Sequence, residues 1–223
     1  MGFWGEVFSA IVNVPDGPDI SYHGNGQKKE EANYKSGKKE GLWTKWSYHG
    51  QKEEEGNYQY GNQEGLWTYW HYNGQKKKEG NHQYGKEEGY WTVWYENGQK
   101  SDEGSYRNGR KEGVWTEWHE NGQKKLEENY KNGKIEGFST KWNENGQKEL
   151  ETNYKDGRKD GLETWWYENG EKSLEGNYKN WKKEGLWIYW NKYGRIKEKK
   201  DYIGSGREGV WSCDGLRGKV ESG

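Results

Sequence analysis

One cysteine, one methionine, two prolines and three phenylalanines in 223 residues leave little of what most domains are built from. Apolar residues make up 28% of the chain, which excludes a Leu/Ile/Val core of ordinary size. The single Cys213 forms neither an internal disulfide nor a thiolate metal site, which fits a reducing compartment. No apolar run approaches the roughly 18 residues of a membrane span, and residues 1–14 lack the basic start of a signal peptide. A soluble, cytoplasmic protein is expected. Met1-Gly2 does not open a myristoylation motif, because the sixth residue is Glu6. An excess of either charge is missing too: 36 basic and 37 acidic residues leave a net charge of −1, so no long-range positive field gathers nucleic acid or anionic membrane. What the chain does have is 16 Trp, 18 Tyr and 35 Gly, an aromatic content of 17% that disordered chains do not show. It folds on aromatic surface.

An acidic-Gly pair recurs with its glycine at Gly41, Gly65, Gly89, Gly113, Gly137, Gly161, Gly185 and Gly209, always 24 residues apart. Counting that glycine as column one divides the chain into an apolar cap (1–16), a degenerate first repeat (17–40), seven tandem repeats (41–208) and a partial repeat with a tail (209–223). Each repeat carries two turn signals. Asn-Gly falls in columns nine and ten (Asn121-Gly122) and again, as Asn-Gly or Asp-Gly, in columns twenty and twenty-one (Asn132-Gly133, Asp156-Gly157). The strands left between them are too short and too rich in Gly, Thr, Trp and Tyr for helices. The expected fold is all-β, an elongated single antiparallel sheet of tandem 24-residue β-hairpins advancing about 10 Å per repeat. In the cap, Trp4, Val7, Phe8, Ile11 and Val12 follow one helical face before Pro15, which predicts a short capping helix.

Column six is Trp throughout: Trp46, Trp70, Trp94, Trp118, Trp142, Trp166 and Trp190. Column eighteen is Tyr58, Tyr106, Tyr130, Tyr154, Tyr178 and Tyr202, with His82 in the remaining repeat. A three-residue first loop with its Gly left-handed pairs columns six and twelve, four and fourteen, and two and sixteen. One packed face then collects the Leu/Val/Phe/Tyr of column two, Thr of column four, Trp of column six, Leu126, Leu150 and Leu174 of column fourteen, and the column-eighteen Tyr. Column three falls on the other face: Trp43, Trp67, Trp91, Trp115 and Trp187, replaced by Ser139 and Glu163. It is the candidate exposed aromatic binding row, its alternative being a minor packing row covered by its neighbours.

Chemistry has little foothold. The five histidines are scattered, with His71 and His119 two repeats apart, too far to share a metal. Glu55, Glu79, Glu103, Glu127, Glu151 and Glu175 recur as a solvated ladder rather than as a catalytic pair, and no nucleophile elbow or phosphate-cradling loop is present. No catalytic residue, metal or cofactor is expected. Column-twelve lysines (Lys52, Lys76, Lys100, Lys124, Lys148, Lys172) face the column-six Trp, giving cross-strand support by cation–π contact.

The stretch Tyr130-Lys-Asn-Gly-Lys-Ile-Glu-Gly137, continuing through Trp142 and Glu144-Asn-Gly-Gln147, resembles the MORN repeat, and more closely the bacterial variant of the YwqK-like antitoxin family. That resemblance implies a hairpin scaffold without an active site, binding a protein partner and, in the bacterial variant, neutralising it. Two alternatives follow from other likenesses: an aromatic cage of the choline-binding, cell-wall type, and peripheral lipid binding by analogy with other MORN proteins. Nucleic acid is not an expected partner.

Overall fold

The computed structural model describes residues 15–203 and, as backbone, 207–211. The expected capping helix lies outside the described residues. The chain divides into two compact units, residues 1–86 and 87–223. The first holds β1 (Gly17–Tyr22), β2 (Lys28–Lys35), β3 (Lys38–Lys39), β4 (Gly41–Trp46), β5 (Lys52–Gln59), β6 (Asn62–Trp70) and β7 (Lys76–Gln83). The second holds β8 (Lys86–Trp94, all but its first residue), β9 (Lys100–Arg107), β10 (Arg110–Trp118), β11 (Lys124–Lys131), β12 (Lys134–Trp142), β13 (Lys148–Lys155), β14 (Arg158–Trp166), β15 (Lys172–Lys179), β16 (Lys182–Trp190), β17 (Ile196–Ile203) and β18 (Arg207–Trp211). Every described element is a strand or a turn, so the all-β hairpin array is as expected. Within each unit consecutive strands pair antiparallel, as in β10–β11 and β11–β12, except that β3 and β4 both pair with β2. The first repeat is less worn than its sequence suggests: Gly17 takes the column-one place and β1 pairs with β2 along its whole length. The departing charge order after Arg195 leaves β17 an ordinary strand, paired with β16.

Both turns form as their residues dictate. In the first, the column-seven N–H donates to the column-eleven carbonyl and the column-ten Gly N–H donates back to column seven, as in His119 N to Gln123 O (2.9 Å) and Gly122 N to His119 O (2.9 Å). Gly122 supplies the left-handed backbone, φ 82°. This is the three-residue loop, and Trp118 lies opposite Lys124 as predicted. The second turn is a two-residue loop with both residues left-handed, Asn132 at φ 52° and Gly133 at φ 79°.

Beyond the column six–twelve pair the register departs from expectation. Lys125 is skipped, so Glu117 faces Leu126, Trp115 faces Glu128 and Gly113 faces Tyr130. The same shift recurs after Trp46, Trp70, Trp94, Trp142, Trp166 and Trp190. One extra residue in column thirteen turns every later side chain of that strand to the other face. Column eighteen Tyr and column fourteen Leu therefore join column three, not columns two, four and six. A second irregularity sits between repeats. Glu128 faces Ser139 and Tyr130 faces Ile135, which loops out Gly137 and Phe138.

Candidate functional site

The shifted register makes column three the core. Trp67, Trp91 and Trp187 are fully buried, and Trp43 and Trp115 nearly so. The reading of these five tryptophans as an exposed binding row is corrected: the indoles of Trp67, Trp115 and Trp187 lie over the column-sixteen glycine of the preceding repeat. A Cβ on Gly56, Gly104 or Gly176 would sit 2.2, 2.3 or 2.1 Å from the indoles of Trp67, Trp115 and Trp187. Beneath these three rings there is no room for a side chain. The indole N–H is satisfied within the sheet, Trp115 Nε1 donating to Ser105 O at 2.9 Å and Trp187 Nε1 to Asn177 O at 3.1 Å. Tyrosines of column eighteen stand edge-on between the indoles, with Tyr106–Trp115 at 4.9 Å and Tyr178–Trp187 at 5.0 Å between ring centres. Lys111 and Lys183 close the stack at 4.3 and 4.2 Å from the Trp115 and Trp187 rings. Burial pushes the phenols of Tyr58, Tyr106, Tyr154 and Tyr178 above the usual tyrosine range.

Two repeats replace this aromatic lock by a polar one. Where Ser139 stands for Trp, column sixteen is Glu128, which accepts from Ser139 Oγ (2.9 Å) and from the Tyr130 hydroxyl (2.6 Å). Where Glu163 stands for Trp, column sixteen is Thr152; Glu163 is only 3% exposed and accepts from Thr152 Oγ1 (3.2 Å), Trp165 Nε1 (2.8 Å) and Lys159 Nζ. Every exchange of the large residue is matched by a filled partner. Burial and the bond to Glu128 drive the Tyr130 phenol well up.

The opposite face carries columns two, four, six, twelve and fifteen. Trp46, Trp70, Trp94, Trp118, Trp142, Trp166 and Trp190 are half-buried there, so their grouping with Tyr58, Tyr106, Tyr130, Tyr154, Tyr178 and Tyr202 on one packed face is also corrected. Column-twelve lysines reach the indole of the following repeat rather than their own: Lys124 over Trp142 and Lys148 over Trp166, each 5.7 Å from the ring centre. Each such ammonium is also paired with the glutamate ladder, as Lys100–Glu103 at 2.7 Å, and Thr68 Oγ1 donates to Glu79 at 3.0 Å. Lysine, threonine, glutamate and tryptophan thus spend their polar groups on one another.

Column two is left over. Leu42 and Leu66 in the first unit, and Tyr90, Val114, Phe138, Leu162 and Leu186 in the second, are 42–58% exposed because the looped-out pair at the repeat junction lifts them off the sheet. They were expected inside; they form an apolar row in water. Burial and the bond to Glu103 push the Tyr90 phenol up to about 12.

Other columns prove to be structural links between repeats. His23 and His119, both in column seven, bond through Nε2 to the carbonyls of Trp46 (2.9 Å) and Trp142 (3.0 Å). Tyr95 and Tyr167 donate their hydroxyls to the matching carbonyls of Trp118 and Trp190. The acidic residue before column one caps the next second turn, Glu112 accepting from Asn132 N at 2.7 Å and Glu136 from Asp156 N at 2.8 Å. Shallow grooves open between successive first turns, one of about 650 Å³ lined by Asn143, Glu149, Trp166, Tyr167, Glu168, Asn169 and Lys192.

Among known families, the one described as MORN repeat variant matches residues 15–36, 63–84, 87–108, 111–132 and 159–180. No curated protein matches the chain.

Proposed function

Because the chain carries MORN-variant repeats in tandem, we propose that it is a non-enzymatic scaffold that binds a protein partner across its strands along the column-two row. The observation that carries this reading is the row itself: in the second unit five apolar side chains stand in successive repeats, each about half exposed, while the polar groups around them bond to one another. Successive members lie two strands apart, about 10 Å, a spacing suited to an extended partner rather than to a small ligand. Neutralising that partner, the role the antitoxin resemblance implies, is the narrower form of the same reading. The aromatic-cage alternative is weakened because the chain's own lysines occupy the indole faces that would hold a quaternary ammonium, as Lys28 does over Trp46 at 5.4 Å and Lys52 over Trp70 at 5.8 Å.

Affinity capture from host lysate tests the proposal, comparing the native protein with Val114→Ser/Phe138→Ser/Leu162→Ser. The variant keeps the circular dichroism of the native fold and retains at least about tenfold less of a protein that the native chain holds, since exposed apolar anchors carry most interface energy. Equal retention by both proteins, or a ligand that survives protease treatment of the lysate, overturns the reading.

A further inference from the structure

We propose that the second unit takes an acidic polypeptide segment bearing apolar side chains, laid across the strands over the second-turn edge and the column-two row. This rests on the protein-scaffold reading and names the chemistry of the partner.

The near-zero net charge conceals a cationic edge. At four successive second turns of the second unit the two residues flanking the loop are paired directly across the hairpin, and both are cations: Arg107 with Arg110, Lys131 with Lys134, Lys155 with Arg158, and Lys179 with Lys182. All eight are exposed. Like charges directly opposite one another destabilise a hairpin, and of the eight only Arg107, with Glu112 at 3.7 Å, and Lys179, with Asp160 at 3.2 Å, have a carboxylate partner among the described residues. In the first unit Lys35 pairs with Lys38 in the same way, but the next pair, Gln59 with Asn62, is neutral and breaks the row. Acidic groups at this edge are largely committed to the turns: Glu112 and Glu136 accept backbone N–H groups, and Asp160 bonds Lys179 at 3.2 Å and the backbone N–H of Asn180 at 3.4 Å. Between these turns lies a groove of about 480 Å³, lined by Lys134, Lys155, Asp156, Arg158, Asp160, Lys179 and Asn180.

Strand alternation puts the cation pairs on the face that carries column two. The column-twenty-three lysines, Lys111 and Lys183, stack on the Trp115 and Trp187 face, so their neighbours in column twenty-two point the opposite way. A cationic row and an apolar row thus run side by side across the same strands. Both repeat about every 10 Å, roughly the rise of three residues of polyproline-II chain, whose side chains return to the same side every third residue, so a segment of the pattern acidic-acidic-apolar meets each row once per repeat. One more residue marks this edge. Trp181 occupies the loop position that is glycine in the other described second turns, holds φ at +67°, and is 54% exposed, touching Tyr154 edge-on at 6.1 Å. A bulky side chain is strained there, and its contact with Tyr154 turns the ring toward the column-three face, away from the cation pairs.

The test is fluorescence anisotropy on the full chain at low salt with a labelled peptide of six Glu-Glu-Leu triplets, against a Lys-Lys-Leu peptide, an oligothymidylate of matching length and phosphatidylserine vesicles. The acidic peptide binds most tightly, its affinity falls with added salt, and Lys134→Gln/Lys155→Gln/Arg158→Gln weakens it by about tenfold or more. Trp181→Gly raises Tm by relieving the left-handed strain and leaves the peptide's affinity unchanged, since its ring lies against Tyr154. Unchanged affinity in the charge variant, or preferential binding of the oligonucleotide or vesicles, overturns the inference. If the column-two serine variant loses its host partner while the charge variant keeps it, the acidic partner is wrong and the scaffold reading stands; if both variants keep it, both fail.

Discussion

Gly104→Glu lowers the stability of the second unit by about 3 kcal/mol, and Trp115→Ser added to it recovers most of that loss. The single change drives a side chain into the indole of Trp115, since even a Cβ at residue 104 would meet ring atoms at 2.3 Å. The double change copies the Glu128–Ser139 pair into the neighbouring repeat, and Tyr106 stands where Tyr130 supplies the hydroxyl to Glu128. Chemical denaturation of the native protein, both single variants and the double variant gives the coupling, expected at about 2 kcal/mol and favourable. The natural exchanges at Ser139 and Glu163 are the physical reason to expect recovery: the fold asks for complementary volume at columns sixteen and three rather than for tryptophan. Additive losses in the two single variants would remove that explanation.

Trp67→Ala costs about 3–5 kcal/mol, whereas Leu66→Ser, one residue away, changes stability by no more than about 0.5 kcal/mol. Trp67 is 0% exposed, packs against Tyr58 at 5.2 Å and donates its indole N–H to Asn57 O at 3.2 Å. Its loss leaves a cavity that Gly56 cannot fill. Leu66 is 54% exposed at the looped-out junction and meets mainly water. Because each repeat touches mainly its neighbours, the Trp67→Ala defect stays local and broadens the unfolding transition of the first unit. Thermal melts of both variants read the contrast directly. The opposite order of losses is what the unshifted register predicts.

Most of the fold is legible in the period and the turns. Asn121-Gly122 and Asn132-Gly133 demand left-handed backbone, and together they set strand lengths, the antiparallel order and the Trp118–Lys124 pairing. The faces beyond that pair are not legible, because one extra residue decides them and column thirteen shows no mark of it. Glu53, Lys77, Lys125 and Glu149 are neither glycine nor turn formers. A signal was nevertheless present. Gly56, Gly104 and Gly176 precede Trp67, Trp115 and Trp187 by eleven residues, while Glu128 and Thr152 precede Ser139 and Glu163 by the same interval. Glycine kept only where the later residue is tryptophan says that a ring lies on that backbone. The role of column seven was hidden by its variety, since His119, Tyr95 and Tyr167 serve one carbonyl contact with different chemistry. The cationic edge escaped a reading based on net charge, which averages it against acids bound up in turns and ladders.

The claim on which these inferences turn is that the column-thirteen bulge hides column three and presents column two. Hydroxyl-radical footprinting of the native protein with residue-level mass spectrometry reads both rows at once. The account predicts that Trp67, Trp91 and Trp187 label slowly while Leu66, Phe138, Leu186 and Trp181 label at the rate of solvent-exposed side chains. Rapid labelling of the three tryptophans with protection of the column-two residues would mean that the faces are reversed and that the partner surface is the aromatic row.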